Sequence, residues 1–200
     1  MVFLVDHHAV ARDAIWGSVA AGLAAEGLAT VRRGNLGRGT DGPSLDRGTR
    51  QVIVIAMVAG IVAGTQIARR AGGLDTGANT WAAYAAGLAI LWSGIGLRLW
   101  AVWSLGRFFR RDVRIVSGQT VHTSGPYRFV RHPAYLGDLL IAFGIVVAWG
   151  SWAAAAIAVA IALAGHLPRI HVEEAALRRA LGESYDRYAA GRARLVPGVW

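Results

Sequence analysis

The stretch SGPYRFVRHPAYLG, Ser124 to Gly137, decides how this chain is read. It holds two prolines, two tyrosines, two glycines and three groups that are or can become cationic, Arg128, Arg131 and His132. Long apolar runs lie on both sides of it. A polar segment between membrane-length runs is costly to bury, so it marks a functional site by default. The plainer account is a basic loop at the lipid surface that only fixes topology.

Working outward, Leu136 to Leu167 is an apolar run of about 32 residues, too long for one span of ~20. Gly150 and Ser151 divide it, flanked by Trp149 and Trp152, which predicts a tight hairpin of two helices. Upstream, Trp81 to Trp103 and Val52 to Ala68 have the length and composition of spans. Ala14 to Val31 is a further span candidate, with a surface-lying helix as the competing reading. Its single Glu26 lies near a basic end, where it can reach water or pair with arginine. The expected fold is therefore all-α, a polytopic membrane bundle of five transmembrane helices with a cytoplasmic amphipathic C-terminal helix.

Composition agrees. The 200 residues are 54% hydrophobic and only 16% charged, with mean hydropathy +0.41, too apolar for a soluble domain. No cysteine is present, which excludes disulfides, thiolate nucleophiles and thiolate metal sites. All 21 basic residues are arginine and the formal net charge is +9. On a soluble protein that excess would suggest nucleic acid. Here the arginines flank apolar runs, where the positive-inside rule and anionic lipid account for them, so no nucleic-acid partner is expected. The opening residues MVFLVDHH carry Asp6 and lack a positive start, unlike a signal peptide.

Between the spans, Gly34 to Arg50 and Ala71 to Thr80 read as polar, glycine-rich loops. Leu105 to Thr123 is basic and amphipathic and is expected at the membrane surface, as a short helix followed by an extended piece. Ser93, Gly94 and Gly96 form a small-residue face suited to close helix contact. From Pro168 the pattern changes to an amphipathic helix over about 169–181, stopped by Gly182 and followed by a short helix over 183–190. With five spans, Arg12, Arg69 and Arg70 fall on one side, Arg98 lies within a span and the remaining arginines share the other side. That side is expected to be cytoplasmic, and the central stretch and the tail share it.

The tail helix carries adjacent carboxylates, Glu173 and Glu174, whose side chains point about 100° apart. Helix-surface ion pairing with Arg169 and Arg178 is the bland account. Combined with the central stretch, however, the pair would form a pocket with arginine, histidine, carboxylates and tyrosines beside apolar walls. Such a set suits a zwitterionic, amphipathic cofactor: cationic donors for a carboxylate, and a carboxylate for an ammonium or a ribose diol. His132, His171 and Glu174 lack HxxxH or HExxH spacing, so no metal is expected. No GxGxxG follows a strand, no Walker loop is present, and Ser124 and Ser151 lack a recognisable nucleophile motif. Arg98 reads either as a snorkelling side chain or as the anchor of an anionic group.

GPYRFVRHPAYLG, the apolar hairpin, and Glu173–Glu174 followed by LGESYDRYAAGRARLVPGVW resemble the isoprenylcysteine carboxyl methyltransferase family, and more loosely the phospholipid N-methyltransferases. DRGTR at Asp46 to Arg50 and GLRLWAVWSLGRFFRRDV at Gly96 to Val113 resemble its bacterial members. The resemblance covers about Asp46 to Trp200. It implies an N-terminal membrane helix and polar linker over 1–45 and a membrane methyltransferase domain over 46–200. It also implies S-adenosylmethionine as methyl donor at the cytoplasmic surface of a bacterial membrane. Arg131, His132, Pro133, Tyr135 and Gly137 would match the first cofactor motif, and Glu173 and Glu174 the second. The acceptor is expected to be a lipophilic small molecule or lipid entering from the bilayer, through a carboxylate, hydroxyl or amine. Arg98 and Arg128 are the candidates for orienting an anionic acceptor. His171 or Glu174 would serve as base for a phenol or an amine. Two alternatives remain at this stage: a sterol-type membrane reductase using NADPH, and a non-catalytic membrane scaffold.

Overall fold

The computed structural model describes residues 9–32, 44–70, 81–110, 112–115 and 118–200. The opening MVFLVDHH, the 34–43 part of the first polar loop and the whole 71–80 loop lie outside the described residues. Among the described residues six α-helices follow in order: α1 (Ala9–Arg32), α2 (Thr49–Arg70), α3 (Trp81–Leu105), α4 (Pro133–Ala148), α5 (Trp152–Leu181) and α6 (Glu183–Ala190). Short 3-10 turns occupy Gly106–Phe108 and Gly125–Arg128. Among the described residues the only extended pairing is an isolated parallel bridge between Val130 and Ala193.

Among the described residues four helices, α1, α2, α3 and α5, are long and apolar enough to cross a membrane. The chain is an integral membrane protein built as a helical bundle. The expected fifth span, α4, is a shorter apolar arm of 16 residues. At 1.5 Å per residue it covers about 24 Å, short of a ~30 Å hydrocarbon core. Its length is capped at both ends by sequence, by His132–Pro133 at the start and by the turn at Trp149–Gly150. Gly150 takes φ 90° in that turn. Ser151 then caps α5 by accepting the backbone N–H of Ala154 at 3.1 Å.

The remaining expectations divide. Gly182 ends α5 with φ 53°, where glycine is favoured, and α6 follows as expected. The amphipathic helix expected to begin after Pro168 is instead continuous with the hairpin arm, one helix of 30 residues. Proline there removes a single backbone donor, and the bonds on either side keep the helix intact. The first helix belongs to the bundle: Ala11 and Ile15 are core residues, and Tyr84 donates its hydroxyl to the Ala11 carbonyl at 3.0 Å.

Close glycine seams hold the helices together. A Cβ built on Gly94 would lie 2.8 Å from the Gly137 carbonyl oxygen, and one on Gly137 2.8 Å from the Gly94 carbonyl oxygen. Gly87 and Gly144 repeat the arrangement one heptad away, so α3 and α4 run antiparallel with their backbones nearly touching. Gly96 meets nothing within 4 Å, and Ser93 is exposed. The small-residue face therefore reduces to Gly94 in the seam, because positions two apart point about 200° apart on a helix. Gly60 and Gly64 of α2 pack likewise on Ala158 of α5. With α1 parallel to α3, the C-terminal ends of α1, α3 and α5 and the N-terminal ends of α2 and α4 meet at one end of the bundle. The central stretch and the tail lie at that end.

Candidate active site

The central stretch is pinned to the C-terminal tail by backbone hydrogen bonds. Arg131 N–H donates to Ala193 O at 2.9 Å and His132 N–H to Arg194 O at 3.0 Å. The Tyr188 hydroxyl donates to Tyr127 O at 2.9 Å. Pro133 opens α4 at a position where a helix needs no N–H donor. Arg131 and His132 are thereby held at the mouth of the bundle, facing the last turns of α5.

There the two glutamates separate. Glu174 is only 1% exposed and is ringed by three arginines and a histidine. Arg131 Nη1 lies 2.8 Å from it, His132 Nε2 3.3 Å, Arg194 Nη2 3.3 Å and Arg178 Nη2 3.5 Å. Glu173 is one-third exposed and lines a cavity, held by the Tyr135 hydroxyl at 2.6 Å. Tyr135 in turn stacks on His132, ring centroids 5.4 Å apart, and accepts from Arg169 Nε at 3.1 Å. Arg169 is buried and pairs through Nη1 with Asp46. Asp46 also accepts from Thr49 Oγ1 at 2.7 Å and from the Arg50 N–H at 3.3 Å, which caps the start of α2. A continuous series, Asp46–Arg169–Tyr135–Glu173, thus fixes the direction of one carboxylate.

The cavity is about 350 Å³, inside the ~300–1,000 Å³ range of small-molecule sites. Leu23, Ile53 and Val54 wall it on the bundle side, and Phe108, Phe109 and Val113 from the segment after α3. That segment is tied back by the Leu45 N–H donating to Val113 O at 2.8 Å. Arg131, His132, Tyr135, Glu173 and Tyr185 supply polar atoms. Two buried groups among these have no hydrogen-bond partner in the described residues, Arg131 Nε and the Tyr185 hydroxyl. Burial, reinforced by Glu174 and Glu173, pushes the Tyr185 phenol well above its ordinary pKa, so it stays protonated and can donate. Deeper in the bundle, Arg98 reaches the cavity between two carboxylates. Its Nε and Nη2 bind Glu26 at 2.6 and 3.1 Å, and its Nη1 binds Asp138 at 2.7 Å.

The family model for phospholipid methyltransferases matches residues 82–184, from the start of α3 into α6, and so includes the cavity's central stretch and both glutamates. The chain belongs to the phospholipid methyltransferase family. A sequence search of curated proteins finds no match. Among solved structures, this family member's fold is similar to that of the eukaryotic intramembrane Ras methyltransferase ICMT (isoprenylcysteine carboxyl methyltransferase), with TM-score 0.57 and 23% sequence identity. The alignment covers 73% of this chain and 52% of that one, so the chain spans about half the length of that relative.

Of the residues singled out from sequence, the fold brings Arg98, Arg131, His132, Tyr135 and Glu173 to the cavity. Pro133 is buried at the start of α4 and Gly137 lies in the α3–α4 seam. Glu174 sits behind the wall, clamped by arginines. Arg128 is exposed with its guanidinium 4.4 Å over the Phe129 ring. His171 is exposed with Nδ1 donating to Leu167 O at 2.7 Å. Sequence reading named Asp46 only within the DRGTR resemblance and Arg169 only as a helix-surface ion-pair partner, and it passed over Asp138, His166 and Tyr185. Asp138 and His166 were detectable as the ionisable residues inside the apolar run 136–167, since such residues within a span are functional candidates.

Proposed function

We propose that this protein is an S-adenosylmethionine-dependent methyltransferase acting on a lipophilic acceptor that enters from the bilayer. The observation that carries the reading is the set of unsatisfied or positioned polar groups around one cavity: Arg131 Nε, the Tyr185 hydroxyl and the Glu173 carboxylate. A buried donor left without a partner costs about 1–3 kcal/mol, which a ligand atom in the cavity would relieve. The donor set fits an amino-acid-bearing nucleoside. Arg131 and Tyr185 suit its carboxylate, and Glu173 suits an ammonium or a ribose diol. When bound, the sulfonium supplies an activated methyl group. The chain's own residues then orient the acceptor and exclude water, through the apolar wall of Leu23, Ile53, Val54 and Phe108.

The cavity lies at the arginine-rich end of the bundle, which we assign to the cytoplasmic face of a bacterial membrane by the positive-inside rule. The family and the fold support methyl transfer over nicotinamide-dependent reduction. The deciding experiment is titration of S-adenosylmethionine and its demethylated product into the detergent-purified protein, with NADPH in parallel. Saturable binding of the first two, weakened in Glu173→Gln, is the expected result. A folded protein that binds neither sinks the proposal; NADPH binding would point to a reductase, and no binding of any kind to a scaffold.

A further inference from the structure

We infer that Asp46 is a positioning residue for the cavity: by holding the guanidinium of Arg169, it keeps the Glu173 carboxylate open to a bound ligand. The inference rests on the methyltransferase reading above, in which Glu173 receives a polar group of S-adenosylmethionine. Asp46 is buried and lies outside the cavity lining, whereas Arg169 and Glu173 both line it.

Arg169 and Glu173 are one turn apart on α5, the i,i+4 spacing at which opposite charges on a helix meet. Here the arginine is turned elsewhere. Its Nη1 pairs with Asp46, in the turn before α2, and its Nε donates to the Tyr135 hydroxyl at 3.1 Å. Tyr135 reaches Glu173 in its place, donating to Oε2 at 2.6 Å, and among the described residues Oε1 takes no hydrogen bond. The charges divide the same way. Asp46 and Arg169 cancel each other, so Glu173 carries the net negative charge of the cluster toward the cavity. The neighbouring carboxylates are committed: Glu174 is held by Arg131 and Arg194, and Asp138 by Arg98. Without the charge on Asp46, the carboxylate left for the buried Arg169 is Glu173.

The backbone that carries Asp46 favours this role over simple helix capping. Arg47 takes φ 48°, the one non-glycine residue with positive φ among the described residues, and Gly48 follows at 80°. An arginine in the left-handed region is disfavoured and persists only where its surroundings impose it. That turn holds the Asp46 carboxylate against Thr49 Oγ1 at 2.7 Å and the Arg50 N–H at 3.3 Å, on the side of α2 that meets Arg169. Asparagine caps a helix as well as aspartate does, so capping alone asks for no charge here. A buried guanidinium does.

The test is a double-mutant cycle on the full-length protein in detergent, read by equilibrium titration of S-adenosylmethionine. Asp46→Asn keeps the cap and should weaken binding by roughly 10- to 150-fold, the loss expected once Glu173 no longer makes a charge-assisted hydrogen bond to the ligand. In a Glu173→Gln background the same substitution should cost no more than about threefold, because no open carboxylate remains to protect. Adding Arg169→Gln to Asp46→Asn removes both charges and should restore affinity to within about threefold of the parent. That neutral pair leaves no unpaired buried charge, so it also serves if Asp46→Asn alone does not fold. Additive losses at Asp46 and Glu173, an Asp46→Asn protein within about threefold of the parent, or a neutral pair that fails to restore affinity would each overturn the inference. Additivity without rescue is what a merely structural Asp46 predicts. A parent protein that binds no S-adenosylmethionine would instead overturn the function from which the inference starts, and the inference with it.

Discussion

The separation of the adjacent carboxylates can be tested by substituting each one alone. Glu174→Gln removes the negative charge from a site that is 1% exposed and holds Arg131, itself largely buried, with Arg194 and Arg178 close by. Breaking a buried pair in this way leaves an uncompensated charge and costs about 3–5 kcal/mol. At ~2–4 °C per kcal/mol for a chain of this size, thermal unfolding in detergent should fall by roughly 6–20 °C. Glu173→Gln removes no buried charge and leaves the amide within reach of Tyr135, so its unfolding should move by no more than about 2 °C. Its effect should appear in ligand affinity instead. Losing one charge-assisted hydrogen bond of about 1.5–3 kcal/mol weakens S-adenosylmethionine binding by roughly 10- to 150-fold. The two variants should therefore be opposite in their two readouts. Equal loss of stability in both, or a Glu174→Gln protein as stable as the parent, would refute the division of roles.

Three further outcomes follow from the same contacts. Gly94→Ala should destabilise by about 1–3 kcal/mol, since its Cβ meets the α4 backbone, whereas Gly96→Ala on the same helix should be neutral or slightly stabilising; chemical denaturation of both in mixed micelles checks this. Arg98→Met strands Glu26 and Asp138 and should cost about 3–5 kcal/mol, and adding Glu26→Gln and Asp138→Asn should restore most of it. A triple variant less stable than the single one would contradict the mutual neutralisation. Tyr185→Phe should raise the unfolding temperature of the ligand-free protein by roughly 2–12 °C, because it removes a buried hydroxyl that has no partner in the described residues and costs about 1–3 kcal/mol. It should weaken S-adenosylmethionine binding by roughly 10- to 150-fold, the worth of one hydrogen bond to a carboxylate of ~1.5–3 kcal/mol, as read by equilibrium titration.

Much was legible from the chain alone, and for identifiable reasons. Run length and composition determined a membrane helical bundle, because the thickness of the hydrocarbon core sets a count that sequence can meet or miss. Local turn chemistry determined the hairpin at Gly150–Ser151 and the stop at Gly182, since positive φ is a property of single residues. The motif pair of RHPAYLG and Glu173–Glu174 carried the family. Tertiary structure alone decided what each polar group faces. Neighbouring side chains on a helix diverge by about 100°, so only packing could turn Glu173 to the cavity and Glu174 to the arginines. Arg98 finds its partners 72 and 40 residues away, on α1 and α4. No local pattern encodes such pairings. They arise because a charge between helices must meet its opposite wherever the fold brings one within reach.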